Sequence, residues 1–313
     1  MDKVLVIIPD NNKGKYLAKA YSSAFSELSF FVIERKIFDL SVEEVQKINP
    51  SIVFTFWSDM KNNDTLMEFF ALLKLTDAVF INCAELLFDI PKSFHKKTYC
   101  FTADSEKLKY KFLLGVNPKE YKTKFKGYKY SITFAGNPAY PNREKILATL
   151  VKNFGRINIF ARSYDFYKSV DEIILSGLLD DNLIEVYRAS YMGYVENQKE
   201  LSNIFVSSKI NIDMQNPDKL AINYRFFEIL ASGGFLLSHY DESSLYNFEE
   251  GKDFEAYDNE IDLVDKVNFY LKNANISQSI AYNGRKHVAS NHSFYGRLKK
   301  MLKVIYGEDF SNR

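Results

Sequence analysis

The residues from Asn223 to Leu237, NYRFFEILASGGFLL, decide the fold, because they join one helix to one buried strand with little chain between them. The apolar side chains of the first ten residues recur at helical spacing, and Gly233-Gly234 marks the end of the helix. The Phe-Leu-Leu run that follows has no polar residue, as in a strand covered on both faces of a parallel sheet. The stretch therefore predicts a helix-to-strand unit of an α/β fold.

Short apolar runs alternate with helical patterns outward through the second half of the chain. A strand at 130–135 is followed by a helix that opens at Arg143 and carries Ile146, Leu147 and Leu150 on one face. The further predicted strands are 157–161, 184–187, 209–214 and 235–239. The further predicted helices are 198–207, 222–232, 260–272, 276–289 and 294–306.

The first half of the chain repeats this rhythm. Its predicted strands are 4–9, 30–33, 52–57, 78–83 and 98–102, and helical spacing marks the segments 17–28, 41–48 and 66–73. Near-continuous apolar strands that alternate with helices are typical of parallel sheets covered on both faces. A chain of 313 residues has room for about two such domains.

A connector at Leu114–Pro118 divides the chain into an N-terminal α/β domain, 1–117, and a C-terminal α/β domain, 118–313. The predicted fold class is therefore α/β, with two Rossmann-like domains. A ligand-binding cleft is expected between them, at the carboxyl ends of their strands. The last helix, 294–306, can instead pack back on the N-terminal domain.

Composition excludes several classes of protein. Apolar residues make up 46% and charged residues 26%, which excludes a disordered or low-complexity chain. Forty-one basic residues against 40 acidic ones give a net charge of +1, so no overall charge draws the chain to nucleic acid or to anionic lipid. No Gly-x-Gly-x-x-Gly follows a strand, which argues against a Rossmann dehydrogenase.

Cysteine, histidine and leader patterns indicate a cytoplasmic protein without a metal. Cys83 and Cys100 each lie in an apolar strand and are interpreted as reduced thiols rather than as a disulfide pair. The four histidines show no metal-ligand spacing, and no Cys-x-x-Cys occurs. The first apolar run is too short for a signal peptide, and no run of 18 apolar residues would cross a bilayer.

One candidate site lies where the strand that ends at Ala135 turns into the next helix. A small loop, 136–141, follows the strand, and Asn142 stands where it would cap the helix. Free N–H groups at a helix start attract an anion, and a cation in the first turn opposes the helix dipole unless an anion neutralises it. Arg143 is therefore a candidate phosphate ligand. The alternative is a solvated arginine beside an ordinary turn.

A second candidate site lies within the stretch quoted first. Arg225 and Glu228 stand three residues apart, so they share one face of the helix, while Phe227 and Leu230 would face the core. The carboxylate can accept both hydroxyls of a ribose, and the guanidinium can bind a phosphate through two hydrogen bonds. The alternative is a surface ion pair that contributes a few tenths of a kcal/mol.

Taken together, these motifs resemble the GT-B glycosyltransferases and, within them, the CgeB-like branch. The resemblance covers about residues 130–300, in order and in spacing, whereas the N-terminal half resembles the family in its strand–helix rhythm alone. The motifs are Phe134–Asn137 with Arg143; Gly193-Tyr194-Val195; Asn223–Leu237; Phe248, Gly251, Asp253 and Tyr257; Leu263, Lys266, Tyr270 and Leu271; Ile280–Val288; and His292-Ser293-Phe294 with Arg297.

The resemblance implies a glycosyltransferase that takes a sugar from a nucleoside-diphosphate donor, most simply a UDP-sugar, and moves it to an acceptor hydroxyl. Neither half shows Asp-x-Asp after a strand, so no metal or other cofactor is expected, and arginine with the helix dipole would stabilise the departing phosphate. The donor-binding residues that the resemblance implies are Gly136, Asn137, Arg143, Tyr194, Val195, Asp213, Asn223, Arg225 and Glu228.

Each of these residues has an implied partner on the donor. The Gly136-Asn137 turn would meet the diphosphate together with the two arginines. Glu228 would hold the ribose, and the chain at Tyr194-Val195 would meet the base. Position alone places Asp213 and Asn223 beside the sugar.

One departure from the family pattern bears on the mechanism. Many retaining members have a second glutamate eight positions before the ribose glutamate, and this chain has Leu220 there. Retention and inversion at the anomeric carbon therefore both stay open. The alternative functions are a nucleotide-sugar-binding surface or maturation protein that lacks turnover, and a nucleotide-sugar epimerase of the same fold.

A weaker resemblance links the chain to phage DNA β-glucosyltransferase, which shares the arginine three residues before the ribose glutamate. That enzyme has a Phe-Thr-Asp turn with the catalytic base, and the segment 101–104 here offers Asp104, displaced by one residue. Asp104 can equally cap a helix, and Asp10 and Asp59 are rival bases. The neutral net charge disfavours a DNA acceptor, since phosphate contacts dominate such binding.

Overall fold

The computed structural model describes residues 2–10, 12–56, 68–69, 71–74, 76–84, 97–102, 115–121, 123–214, 222–240 and 248–307. The chain forms two compact units. The first comprises Met1–Asn117 and His292–Arg313, and the second comprises Pro118–Asn291. Among the described residues, each unit contains one five-stranded sheet whose strands all run parallel. The predicted α/β class with two parallel sheets is confirmed.

The first unit contains the strands β1 (Lys3–Ile8), β2 (Phe31–Lys36), β3 (Ile52–Phe56), β4 (Val79–Ala84) and β5 (Thr98–Thr102). Their order in the sheet is β2-β1-β3-β4-β5. All five residues of β3 are buried, whereas the edge strand β2 ends in charged, exposed side chains. The helices α1 (Asn12–Glu27) and α2 (Val42–Ile48) follow β1 and β2, as parallel pairing requires of the connections.

The second unit contains the strands β6 (Tyr130–Ala135), β7 (Asn158–Phe160), β8 (Ser208–Asp213), β9 (Leu236–His239) and β10 (Glu255–Tyr257) in the order β10-β9-β8-β6-β7. Its helices are α3 (Arg143–Phe154), α4 (Ser163–Leu175), α5 (Asp181–Ala189), α6 (Gln198–Val206), α7 (Tyr224–Ser232), α8 (Glu260–Lys272) and α9 (Ala274–Asn291). The apolar faces of α3, α4, α5 and α8 pack with strand residues into one core cluster. This packing holds the helices against the sheet and so positions the carboxyl ends of its strands.

The C-terminal helix α10 (Phe294–Tyr306) belongs to the first unit. The Phe294 ring packs edge-on against Tyr21 of α1, with the ring centroids 5.1 Å apart. The Val116 N–H donates to the His292 carbonyl, and the Phe294 N–H donates to the Val116 carbonyl, each at 3.0 Å. The two points where the chain passes between the units are therefore hydrogen-bonded to each other.

The segment 184–187 was predicted as a strand, and this prediction is wrong, because the residues lie in α5. Asp180 starts that helix by accepting a hydrogen bond from the Leu183 N–H at 2.9 Å. Ile184 and Tyr187 are buried and Glu185 is exposed, which fits helical spacing. Sequence analysis also missed α4 and the three-residue strand β10. The other predicted elements of the second unit agree with the structure to within two residues at each end.

Two further features of the chain concern its thiols and its helices. Cys83 is buried and Cys100 is partly buried, and the two do not form a disulfide. Within the part of the chain that the structure describes, no helix combines the length and the apolar character needed to cross a bilayer.

Gly284→Ala tests how closely α9 packs in the second unit. An added Cβ would stand 2.2 Å from the Asp253 carbonyl oxygen and 2.9 Å from Cδ2 of Leu230 in α7. Alanine normally stabilises a helix interior over glycine by about 1 kcal/mol. Here we expect the steric conflict to dominate and to lower the free energy of unfolding by about 1–3 kcal/mol, measured by urea denaturation. Lys286→Ala, exposed on the same helix, is the control and should change it by less than about 0.5 kcal/mol. Equal stability of Gly284→Ala and wild type would contradict this packing.

Candidate functional site

The second sheet opens between β6 and β8. These strands are neighbours in the sheet, but β6 connects to β7 on one side and β8 connects to β9 on the other. At such a switch point the chains that leave the two strands diverge, and open α/β sheets bind ligands in the resulting crevice. Gly136 follows the end of β6, and Asp213 ends β8, so both residues flank this crevice.

Two hydrogen bonds hold the turn after β6, one to the neighbouring strand β7 and one within the turn. Gly136 donates its N–H to the Phe160 carbonyl at 3.0 Å, and Asn137 Oδ1 accepts from the Ala139 N–H at 2.9 Å. Asn142 stands just before α3, but its side chain makes no capping hydrogen bond, so the predicted cap is wrong. The reason is its left-handed backbone, with φ at 67°, because a capping side chain requires extended backbone.

Arg143 joins the two sides of the crevice. Its guanidinium donates to the Asn137 carbonyl, after β6, at 3.0 Å and to the Met214 carbonyl, after β8, at 2.8 Å. Burial lowers the pKa of Arg143, and the nearby Asp213 carboxylate opposes this shift. The Nε–H is buried and has no hydrogen-bond partner among the described residues. Arg143 therefore clamps the two loops and keeps unused donors.

Asp213 and Asn223 form one hydrogen-bonded pair at the end of β8. The Asn223 amide nitrogen lies 3.0 Å from each carboxylate oxygen of Asp213. The Asn223 Oδ1 accepts from the Phe226 N–H at 3.0 Å, so the same side chain caps α7. Burial raises the pKa of Asp213, while the Asn223 hydrogen bonds and the charge of Arg143 oppose that rise. The pair couples the strand end to the start of α7, and its place beside a sugar stays a prediction.

Arg225 and Glu228 share one face of α7, as the sequence predicts, with 2.7 Å between Nη1 and Oε2. Glu228 is 4% exposed, so the pair is not the surface ion pair that was the alternative. Phe227 and Leu230 are fully buried in the core, as expected. A carboxylate at this depth depends on its partners, since an uncompensated buried charge costs about 3–5 kcal/mol.

A cavity of about 340 Å³ lies against the β6 turn and α7, within the size range of ligand sites. Five of the predicted residues line it: Gly136, Asn137, Tyr194, Val195 and Arg225. Its other lining residues are Ala135, Phe160, Ala161, Arg162, Asp165 and Leu201. The other four predicted donor residues, Arg143, Asp213, Asn223 and Glu228, do not line it, although Glu228 is paired with Arg225, which does.

Arg162 and Asp165 are cavity residues that sequence analysis missed. Arg162 follows β7 and directly precedes α4, and its guanidinium carbon lies 5.3 Å from the centroid of the Tyr194 ring. Asp165 lies in the first turn of α4. Position alone was the signal that could have found Arg162, because it follows a strand next to β6 and so reaches the same sheet edge as Gly136.

The candidate bases are only partly covered by the structure. Asp104 and Asp59 lie outside the described residues, as does Leu220. Asp10 is described, and its exposed carboxylate stands 3.9 Å from Nζ of Lys36. The choice of Asp104 as the base therefore stays a prediction.

Residues 143–303, just over half of the chain, match the family model described as "Glycosyl transferase-like". The matched segment begins at Arg143 and includes every predicted donor residue except Gly136 and Asn137. A search of the curated proteins finds no match.

Solved structures resemble the chain over nearly its whole length. A glycosyltransferase from Rickettsia africae has a TM-score of 0.67 at 14% identity, with 97% of each chain covered. The Anabaena protein Alr3699/HepE in complex with UDP has a TM-score of 0.66 at 7% identity, covering 97% of this chain and 99% of that one. Sucrose-phosphate synthase from Thermosynechococcus elongatus has a TM-score of 0.61 at 11% identity, with 99% of each chain covered. At these identities the likeness shows a shared fold.

Asn223→Asp tests the coupling of Asp213 to α7. The variant keeps an oxygen that caps α7 but places a second carboxylate where the amide donor lay, 3.0 Å from Asp213. Two carboxylates this close resist joint ionisation, so one folded-state pKa rises above its unfolded value. The folded state then binds more protons than the unfolded state above about pH 4. We expect the free energy of unfolding to fall as pH rises from about 4 to 8, more steeply than in wild type.

Urea denaturation across this pH range measures the effect, with Asn223→Ser as the matched control. Serine keeps a capping oxygen and adds no charge, although it removes the amide donor that lowers the Asp213 pKa, so its stability should fall with pH less steeply than that of the Asp variant. Parallel profiles for the Asp and Ser variants would contradict the coupling.

Proposed function

We propose, from the premise that this chain belongs to the glycosyl transferase-like family, that it transfers a sugar from a UDP-sugar to an acceptor hydroxyl. Family membership makes it a glycosyltransferase, and its two parallel α/β units have the GT-B fold of the similar solved structures. The UDP donor and the hydroxyl acceptor go beyond the family. The site in the second unit supports the donor, and the resemblance of the sequence supports the acceptor.

The observation that carries the proposal is the position of Arg225, which lines the cavity at the end of β6 while it binds Glu228. A nucleoside diphosphate presents a charged diphosphate and two ribose hydroxyls. Arg225 supplies a guanidinium for the first, and Glu228 supplies acceptor oxygens for the second. The Gly136-Asn137 turn, the predicted diphosphate loop, lines the same cavity.

The remaining wall of the cavity offers stacking surfaces and polar groups for a nucleobase. Tyr194 and the Arg162 guanidinium are flat groups on which a base can stack. Arg162 offers donors and Asp165 offers acceptors, which can pair with the polar edge of a base. Alr3699/HepE, which has a similar fold, is solved with UDP, and this favours uracil.

The proposed reaction makes and breaks one bond at the anomeric carbon. The acceptor oxygen bonds to that carbon, the acceptor proton passes to a base, and the bond to the β-phosphate oxygen breaks with its electron pair leaving on UDP. Arg225 would stabilise the charge that develops on the leaving diphosphate. We propose that the reaction needs no metal, because this guanidinium supplies the positive charge.

Three finer points remain part of the proposal. The CgeB-like branch rests on its motifs alone, because the matched family model describes the broader group. The net charge of +1 favours a glycan, protein or small-molecule acceptor over DNA. Asp104 is the base that the sequence favours.

Thermal denaturation and nucleotide release with UDP-sugars and GDP-sugars test this function. We expect UDP-sugars to stabilise the protein by about 2.7 kcal/mol at 100 times their Kd, and to be hydrolysed slowly to UDP. If none of the nucleotides tested stabilises the protein, the proposal is overturned. Stabilisation without turnover on any acceptor would favour the nucleotide-sugar-binding alternative.

Arg225→Ala tests the diphosphate contact. Loss of a hydrogen bond to a charged group costs about 1.5–3 kcal/mol, so we expect the affinity for UDP, measured by titration calorimetry, to fall about 10- to 150-fold. Arg188→Ala is the matched control, because Arg188 pairs with Glu185 at the same spacing on an exposed face, at 3.5 Å. Equal losses in the two variants would contradict the assignment.

A further inference from the structure

Side chains from three segments of the second unit hold the Glu228 carboxylate. Its Oε2 pairs with Arg225 of α7, and its Oε1 accepts from the Tyr121 hydroxyl at 3.3 Å. Oε1 also accepts from the amide of Gln198, the first residue of α6, and that amide contacts the Tyr121 hydroxyl as well. Tyr121 is fully buried. The orientation of the carboxylate is therefore fixed through both of its oxygens.

These contacts leave Glu228 able to accept from a ligand. Each carboxylate oxygen has two lone pairs. Oε1 uses both of them, on Tyr121 and Gln198, whereas Oε2 has Arg225 as its partner among the described residues. One acceptor position on Oε2 therefore remains, next to the arginine that lines the cavity.

Arg285 of α9 fixes the backbone on which Tyr121 stands. Its guanidinium donates to the Tyr121 carbonyl at 3.1 Å and to the Thr123 carbonyl at 3.4 Å. The Thr123 hydroxyl in turn contacts the Ser202 hydroxyl of α6 at 3.2 Å and the Ser232 carbonyl of α7 at 3.3 Å. Tyr121 and Thr123 are thus tied to three helices.

Gly233 allows Arg285 to reach Tyr121 and Thr123. It ends α7 with φ at 79°, and a Cβ there would stand 3.2 Å from Cδ of Arg285. Gly233 and Arg285 belong to two of the motifs found in the sequence, Asn223–Leu237 and Ile280–Val288. The structure brings these motifs together beneath Glu228.

We propose that Tyr121 is a positioning residue for donor binding. Together with Gln198 it holds Glu228 so that Oε2 accepts a hydrogen bond from a ribose hydroxyl, and Arg285 holds Tyr121 in place. The inference rests on the proposed function, which assigns the ribose to Glu228. A tyrosine that only filled the core would affect every ligand alike, whereas a positioning tyrosine affects ligands that carry ribose hydroxyls.

Titration calorimetry with UDP and with 2′,3′-dideoxy-UDP tests the proposal on Tyr121→Phe. Wild type should bind UDP more tightly than the dideoxy compound, because the dideoxy compound has no ribose hydroxyl to donate a hydrogen bond to Glu228. We expect Tyr121→Phe to weaken UDP binding by about 2- to 12-fold, the effect of one hydrogen bond, and to leave binding of the dideoxy compound unchanged.

One further variant is the control for this test, and another removes the second donor to Oε1. Tyr270→Phe is the matched control, because it also removes a buried hydroxyl that donates to a carboxylate, that of Glu255; it should change neither affinity. Gln198→Met removes the second donor to Oε1 at similar side-chain length, and it should reproduce the pattern of Tyr121→Phe even if that variant folds poorly.

The outcomes separate this proposal from the proposed function. Wild type that binds UDP and dideoxy-UDP equally, or neither of them, would overturn the assignment of the ribose to Glu228 and the positioning role with it. If wild type prefers UDP to dideoxy-UDP, and Tyr121→Phe and Gln198→Met keep the same preference, the positioning role alone is overturned. If Tyr121→Phe weakens the binding of both ligands by the same factor, Tyr121 has a role in the core alone, and the positioning role is again overturned.

Discussion

One partly buried guanidinium joins the two strand ends of the second unit at the place where its sheet opens. Arg143 donates to the carbonyl oxygens that follow β6 and β8, the two strands from which the chain departs in opposite directions. A cation removed from water needs such acceptors, since burial by itself lowers its pKa and disfavours the charged form. The rest of the site is built from this clamp outward, because it fixes the distance between the two loops.

The polar groups of the site form a series that runs from the strand ends to the ligand cavity. Asp213 at the end of β8 binds Asn223, and Asn223 starts α7. That helix carries Arg225 and Glu228, which pair below the cavity wall. Each of these side chains has a partner within the protein, so few of them have to be ordered when a ligand binds. Such preorganisation lowers the cost of binding and suits a site that stabilises charge.

The features that depend on local spacing of residues could be predicted from the sequence. The three-residue interval between Arg225 and Glu228 predicts their shared face, and apolar runs between helices predict two parallel sheets. The run 184–187 was wrongly predicted as a strand, because a four-residue segment is too short to separate the helical period from the strand period. Tyr121 was out of reach, since it meets Glu228 across 107 residues of sequence. Tertiary structure alone makes that contact, and no short motif signals it.

A crystal structure of the protein with UDP bound measures the central claim most directly, namely that the second unit binds a nucleoside diphosphate at the carboxyl ends of β6 and β8. We predict the diphosphate within hydrogen-bonding distance of the Arg225 guanidinium and a ribose hydroxyl on Glu228 Oε2. The Arg143 bonds to Asn137 and Met214 should persist. UDP bound in the first unit, or bound in the second unit without contact to Arg225 and Glu228, would contradict the claim.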